Sequence, residues 1–236
     1  DTQQPSILVL NNKFYNNCWQ DYEQIMESAA LKLHHLRNSL IINNYFHKTF
    51  YGCGMWVDST NVNVAVRENV IIDTLTNYGG LFIETSHDDV ELCANIIVNV
   101  RHYTDIGGNG IYSHMSDSIK NIKNIILGCT RFGILHAYGG ASIVRLGRGP
   151  TGYGMDFYGN IISDCKHALM QPTERGDADK NIYGKFTHSG YLKVGMPELH
   201  MDLNGWRKIL GWDKNGFTAQ IAYSLEADDT ILKLAI

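Results

Sequence analysis

Three stretches carry one pattern: Gly54–Thr60 reads GMWVDST, Gly80–Ser86 reads GLFIETS and Gly110–Ser116 reads GIYSHMS. Each opens on glycine, runs apolar-aromatic to a third position that is apolar in the first two and Ser113 in the last, and then places a titratable residue: Asp58, Glu84, His114. Upstream, Ala30–Leu36 (ALKLHHL) is a weaker version, and Gly133–Gly139 (GILHAYG) a weaker one downstream. Strict alternation over five or six residues is the period of a β-strand, not of a helix.

A second phrase follows each copy at a distance, an asparagine leading an apolar run: NNKF, NNYF, ENVI, ANII, KNII, GNII. Its asparagines are Asn12, Asn44, Asn69, Asn95, Asn124 and Asn160. A unit of about 25 residues with two or three short strands and no strong helical pattern is the signature of a stacked coil. The expected fold is therefore all-β, a right-handed parallel β-helix (a single-stranded solenoid) forming one domain over residues 1–236. Leu31, Met55, Leu81, Ile111 and Ile134 then point inward with Leu33, Val57, Ile83 and Ser113. Lys32, Trp56, Phe82 and Tyr112 point outward with His34, Asp58, Glu84 and His114. The asparagines suit an internal ladder at a tight bend, where stacked amides hydrogen-bond from coil to coil.

Interruptions fall at three places. Residues 18–29 look partly helical and read as an insertion between the first two coils. Residues 145–154, with Arg145 and Arg148 among glycines, read as a long loop near the cleft. In the terminal segment 190–236, Asp202 signals an N-cap before Leu203, Trp206, Ile209 and Leu210, so a short C-terminal helix is expected there; DTILKLAI alternates like a strand.

Composition sets outer limits. A hydrophobic share of 44% with 19% charged residues over 236 residues is that of a chain with a sizeable core. Net charge is −4 and no Lys/Arg block stands out, which argues against nucleic acid as partner. No apolar run reaches the roughly 18 residues of a membrane span. Five scattered cysteines show neither metal-ligand nor disulfide-framework spacing. The start DTQQPSILVL has no initiator Met or signal peptide and fits a mature chain or a piece of a longer one; compartment and a homo-oligomeric state stay open.

Parallel stacking gives the titratable column its interest. Equivalent residues on adjacent rungs are about 4.8 Å apart, and retaining glycoside hydrolases hold nucleophile and acid/base roughly 5–5.5 Å apart. Asp58 and Glu84 are placed to meet that requirement, with the aromatics beside them as a floor for sugar rings. Against this stands a plain solvated charge ladder, although like charges directly opposite on neighbouring strands destabilise a sheet.

ESAALKLH, MWVDS and LFIETSHD resemble consecutive motifs of the glycoside hydrolase family 120 β-xylosidases over about Glu27 to Asp88. The resemblance implies a right-handed parallel β-helix that releases xylose from xylo-oligosaccharides with retention. It implies Asp58 as nucleophile and Glu84 as general acid/base. Glu27 and Lys32 would bind sugar hydroxyls, with His34 beside them, and His87 would match the histidine after the acid. Trp56, Phe82, Tyr112 and His114 complete the expected substrate contacts. No cofactor or metal is needed, since two carboxyls do the work. The expected partner is an oligosaccharide. Two alternatives remain: a polysaccharide lyase holding a cation at the acidic column, and a glycan-binding solenoid without catalysis. His136, on an inward position, reads as a core histidine.

Overall fold

The computed structural model describes residues 6–20, 27–86, 88–102, 107–137, 154–195, 198–226 and 231–236. The chain is mostly strand, arranged in parallel sheets, with one helix among the described residues.

Three sheets are filled in rotation. One holds seven strands: Leu8–Leu10, Arg37–Ile42, Val62–Arg67, Asp88–Cys93, Ile119–Ile122, Met155–Tyr158 and Gly176–Asp179. The second holds eight, from Lys13–Asn17 through Tyr45–Phe50, Val70–Leu75, Ile96–Arg101, Ile125–Leu127 and Ile161–Ser163 to Ile182–Tyr183 and Phe217–Thr218. The third begins with Ala29–His34, Cys53–Asp58, Gly79–Glu84, Asn109–His114 and Phe132–Ala137. It continues through His167–Gln171 and Leu192–Val194, and an antiparallel Leu199–Met201 closes its edge. Within the rotation each strand pairs in parallel with the one three places along the chain, so the sequence repeat becomes vertical register.

The inward set follows the alternation. Met55, Val57, Leu81, Ile83, Ile111 and Ile134 are buried in one core with Ile71, Ile97, Ile126 and Ile162 of the second sheet. This packing explains the glycine that opens each phrase. A Cβ on Gly54, Gly110 or Gly133 would lie 2.8, 2.5 or 2.4 Å from Cγ2 of Ile71, Ile126 or Ile162. On Gly80 it would meet Cγ2 of Val100 at 3.0 Å and of Ile97 at 3.2 Å. The two repeated phrases are thus one contact: the glycine makes room for the isoleucine that follows the asparagine.

The asparagine ladder exists as expected. The main-chain N–H and Nδ2 of Asn44, Asn69, Asn95 and Asn124 each donate to Oδ1 of the next asparagine at 3.0–3.1 Å. Asn12 precedes them and Asn181 follows Asn160 in the same manner. The spare Nδ2 hydrogen reaches a main-chain carbonyl, such as Val66 for Asn95 and Leu92 for Asn124. Residues just before the ladder, Glu68, Ala94 and Lys123, turn the corner at φ 54°. That left-handed conformation costs a non-glycine residue about 1 kcal/mol, which the satisfied amides offset. The column ends on Asp213, whose two oxygens accept from the N–H and Nδ2 of Asn181 at 3.1 and 3.0 Å. A carboxylate fits the last place because nothing follows to receive a donated hydrogen.

Helix α1, Leu203–Leu210, carries Asp202 as N-cap, its carboxylate accepting from Gly205 N–H at 2.8 Å. Leu203 and Trp206 join the core with Trp212, closing that end. Ile209, expected on the apolar face, is 54% exposed. The last alternating run, Ile231–Ala235, pairs antiparallel with Ala222–Glu226. That hairpin lays Tyr223, Leu225, Leu232 and Leu234 over Ile72, Val98 and Leu127 on the outer side of the second sheet. Of the expected insertion at 18–29, residues 21–26 lie outside the described residues, and Ala29 already begins a strand. The loop expected at 145–154 lies outside them except for Gly154.

Candidate functional site

The titratable column forms as the repeat requires. His34 pairs with Asp58, Asp58 with Glu84 and Glu84 with His114 in unbroken parallel register. Beside it runs Lys32, Trp56, Phe82 and Tyr112 on the same strands. Each column residue is the last of its strand, followed by a corner: Ser59, Thr85 and Met115 have φ of 59°, 53° and 50°. Main-chain bonds stack these corners, Ser59 N–H donating to Glu84 O at 3.0 Å and Thr85 N–H to His114 O at 2.9 Å. The backbone under both carboxyls is therefore fixed before the side chains are placed.

Asp58 is held more tightly than an outward residue would be. It is 4% exposed. Its Oδ2 lies 3.3 Å from Lys32 Nζ and 3.5 Å from His34 Nδ1, and its Oδ1 accepts from Ser59 Oγ at 3.0 Å. Lys32 also contacts the Glu27 carboxylate, and its ammonium sits 3.3 Å from the ring centre of Trp56. A lysine shared by two carboxylates and an indole face has little freedom left, so Asp58 faces a fixed positive charge. Glu84 is less confined, with a side chain 16% exposed and Oε1 lying 3.6 Å from His114 Nδ1.

The aromatic floor differs from the expected one. Trp56 and Phe82 are only 3% and 1% exposed. Tyr78, which the alternation did not single out, covers them. Its ring stacks on Phe82 at 4.9 Å and on Tyr112 at 5.9 Å with an interplanar angle of 3°. Tyr78 and Tyr112 are the half-buried members that meet solvent. Burial pushes both phenols above their usual range, so they act here as neutral ring faces with a polar tip. The sequence signal for Tyr78 was an aromatic set directly against Gly79–Gly80, one corner ahead of the repeat.

Glu27, His34 and Asp58 offer ligand atoms within 4.8 Å of one another, the one such group among the described residues. Lys32 touches both carboxylates of that trio, so an ammonium stands where a cation would be drawn. His136 is fully buried; its Nε2 accepts from Asn121 Nδ2 at 3.1 Å, and burial pushes its pKa down to about 3. That is the core role its inward position implied. His87, Arg145 and Arg148 lie outside the described residues.

The chain matches no protein-family model, no curated protein and no solved structure.

Proposed function

We propose that the three sheets are the walls of a right-handed parallel β-helix, and that the wall bearing Asp58 and Glu84 is the active site of a retaining glycoside hydrolase, β-xylosidase-like in substrate. The observation that carries the reading is the register of Asp58 with Glu84 on neighbouring parallel strands, which sets their main chains about 4.8 Å apart. Retention requires carboxyls at roughly that distance, whereas inversion requires space for a water between them. The half-buried Tyr78 and Tyr112 faces supply a surface on which sugar rings stack.

In this reading Asp58 attacks the anomeric carbon. The bond to the leaving oxygen breaks as Glu84 delivers a proton to that oxygen. Glu84 then takes a proton from water, whose oxygen displaces Asp58 and frees the sugar. Lys32, His34 and Ser59 aim the Asp58 carboxylate, and His114 stands beside Glu84. The grip of Lys32 on a nearly buried Asp58 favours a second reading, a glycan-binding face without catalysis.

A panel of aryl glycosides, xyloside first, separates the two. Turnover, with the first-formed product carrying the substrate's anomeric configuration by proton NMR, is the expected result. Binding of xylo-oligosaccharides without turnover of any aryl glycoside would leave the binding reading in its place.

A further inference from the structure

The outer side of the third sheet does not end at the acids. The column that runs Lys32, Trp56, Phe82, Tyr112 continues in register through Leu135 and Met170 to Lys193 and His200. From Glu84's strand to that of Lys193 is four strand spacings, about 19 Å, the span of a short oligosaccharide. The two ends carry opposite charge. At the near end Glu27 and Asp58 hold the ammonium of Lys32, and Glu84 adds a further acid in register beside Asp58. At the far end Lys193 and His200 hold the carboxylate of Glu198, with Arg131 over the Phe132 ring and Lys166 acting on His167.

The far end is built rather than scattered. Phe132, 2% exposed, is its hub: Lys193 Nζ lies 5.2 Å from the ring centre, Arg131 Cζ 5.4 Å, and the His167 ring stacks on it at 4.8 Å. His188 and His200 close around His167 with ring centres at 4.8 and 6.1 Å. His167 is 4% exposed and its Nδ1 has no hydrogen-bond partner among the described residues. Lys193 and His200 converge on one oxygen of Glu198, Nζ at 2.7 Å and Nε2 at 3.2 Å. Glu198 thus shows how this cluster grips a carboxylate. Its side chain is 38% exposed against 9% for Lys193, so the acceptor faces water and the donor is fixed. An anion arriving from solvent competes with Glu198 for donors already in place.

We infer that this cluster is a subsite for an anionic substituent of the glycan, a carboxylate or a sulfate ester, on a sugar several units from the bond at the acids. The inference rests on the glycoside hydrolase reading for what the rest of the ligand does, and it adds a direction: the acidic sugar lies toward Lys193 and the neutral end toward Asp58. Charge repulsion at Asp58 and Glu84 disfavours the reverse orientation.

Calorimetric titration of the full chain tests this without requiring turnover. The probes are a xylotetraose bearing one terminal uronic acid, its carboxyl-reduced analogue, sodium glucuronate and sodium sulfate. The acidic tetramer is expected to bind about tenfold tighter than the reduced one. Lys193→Met or His200→Gln is expected to erase that preference, two variants guarding against one that misfolds. Glu198→Gln is expected to enlarge it, because the internal competitor loses its charge; a merely structural Glu198 would give the opposite sign. Displacement of the acidic tetramer by glucuronate or by sulfate identifies which anion the site takes. Equal affinity for the two tetramers, a preference untouched by both donor variants, or displacement by neither salt would overturn the inference. Absence of aryl-glycosidase turnover alongside an intact preference would sink the catalytic reading and leave the subsite standing.

Discussion

Asp58 and Glu84 occupy the same register position on adjacent parallel strands, yet their surroundings differ: Lys32 and His34 close on the first, and His114 faces the second. One carboxyl is clamped beside a fixed cation and the other keeps contact with solvent. The proposed catalytic reading assigns the two carboxyls different roles, and the glycan-binding reading needs no such difference between them.

Removing either carboxyl's charge is expected to stop turnover without unfolding the chain. Asp58→Asn and Glu84→Gln should each lower kcat on an aryl xyloside by on the order of 10³-fold or more. Their melting temperatures should stay within a few degrees of the parent, measured by calorimetry. Near-parent activity in either variant would remove that residue from the mechanism.

The ladder has a direction, and that makes substitutions along it unequal. Asn95→Ala strands the main-chain N–H of Asn69 and removes the Nδ2 bonds to Asn124 and Val66, leaving only the Asn95 main-chain N–H to donate to Asn124. A loss of about 3 kcal/mol or more is expected in urea unfolding. Asn95→Asp is expected to be as damaging, because a carboxylate there accepts from Asn69 but cannot donate to Asn124 or Val66. The same residue type is native at 213, where only acceptance is needed.

Much of this was legible in the chain. The inward and outward sets, the asparagine ladder and the α1 cap all follow from spacing, since strands stacked in parallel turn a sequence period into contact. The depth of burial was not legible. Trp56 and Phe82 alternate outward, but their cover comes from Tyr78, a residue off the repeat. The cluster of His167, His188 and His200 was equally hidden, because it joins a strand, a connecting segment and an antiparallel edge with no common period.

Glycine in the repeat is required by close approach rather than by backbone angle. Gly110→Ala places a Cβ 2.5 Å from Ile126 Cγ2 and 2.7 Å from the Gly133 carbonyl oxygen. Side chain and backbone would both have to shift, and a loss of about 2–4 kcal/mol is expected by denaturant unfolding. A neutral Gly110→Ala would mean that the sheets can separate more than their packing implies.

Acid should weaken the fold through His136. With its pKa pushed down to about 3 in the folded chain by burial and about 6.5 when unfolded, only the unfolded chain takes up the proton between those values. The histidine's contribution is therefore intact above about pH 6.5 and lost progressively as pH falls toward 3. Stability measured across that window should decline, and His136→Gln, which keeps an acceptor for Asn121, should flatten the decline. An unchanged slope would assign acid sensitivity elsewhere.

Asp58 and Glu84 stand side by side through parallel strand register, and a trapped intermediate tests their proposed roles most directly. Incubation with a 2-fluoro-xyloside bearing an activated leaving group, followed by proteolysis and mass spectrometry, should find one fluoroxylosyl unit esterified to Asp58. A label on any other residue, or rapid turnover of that reagent's parent xyloside with inverted product, would contradict it.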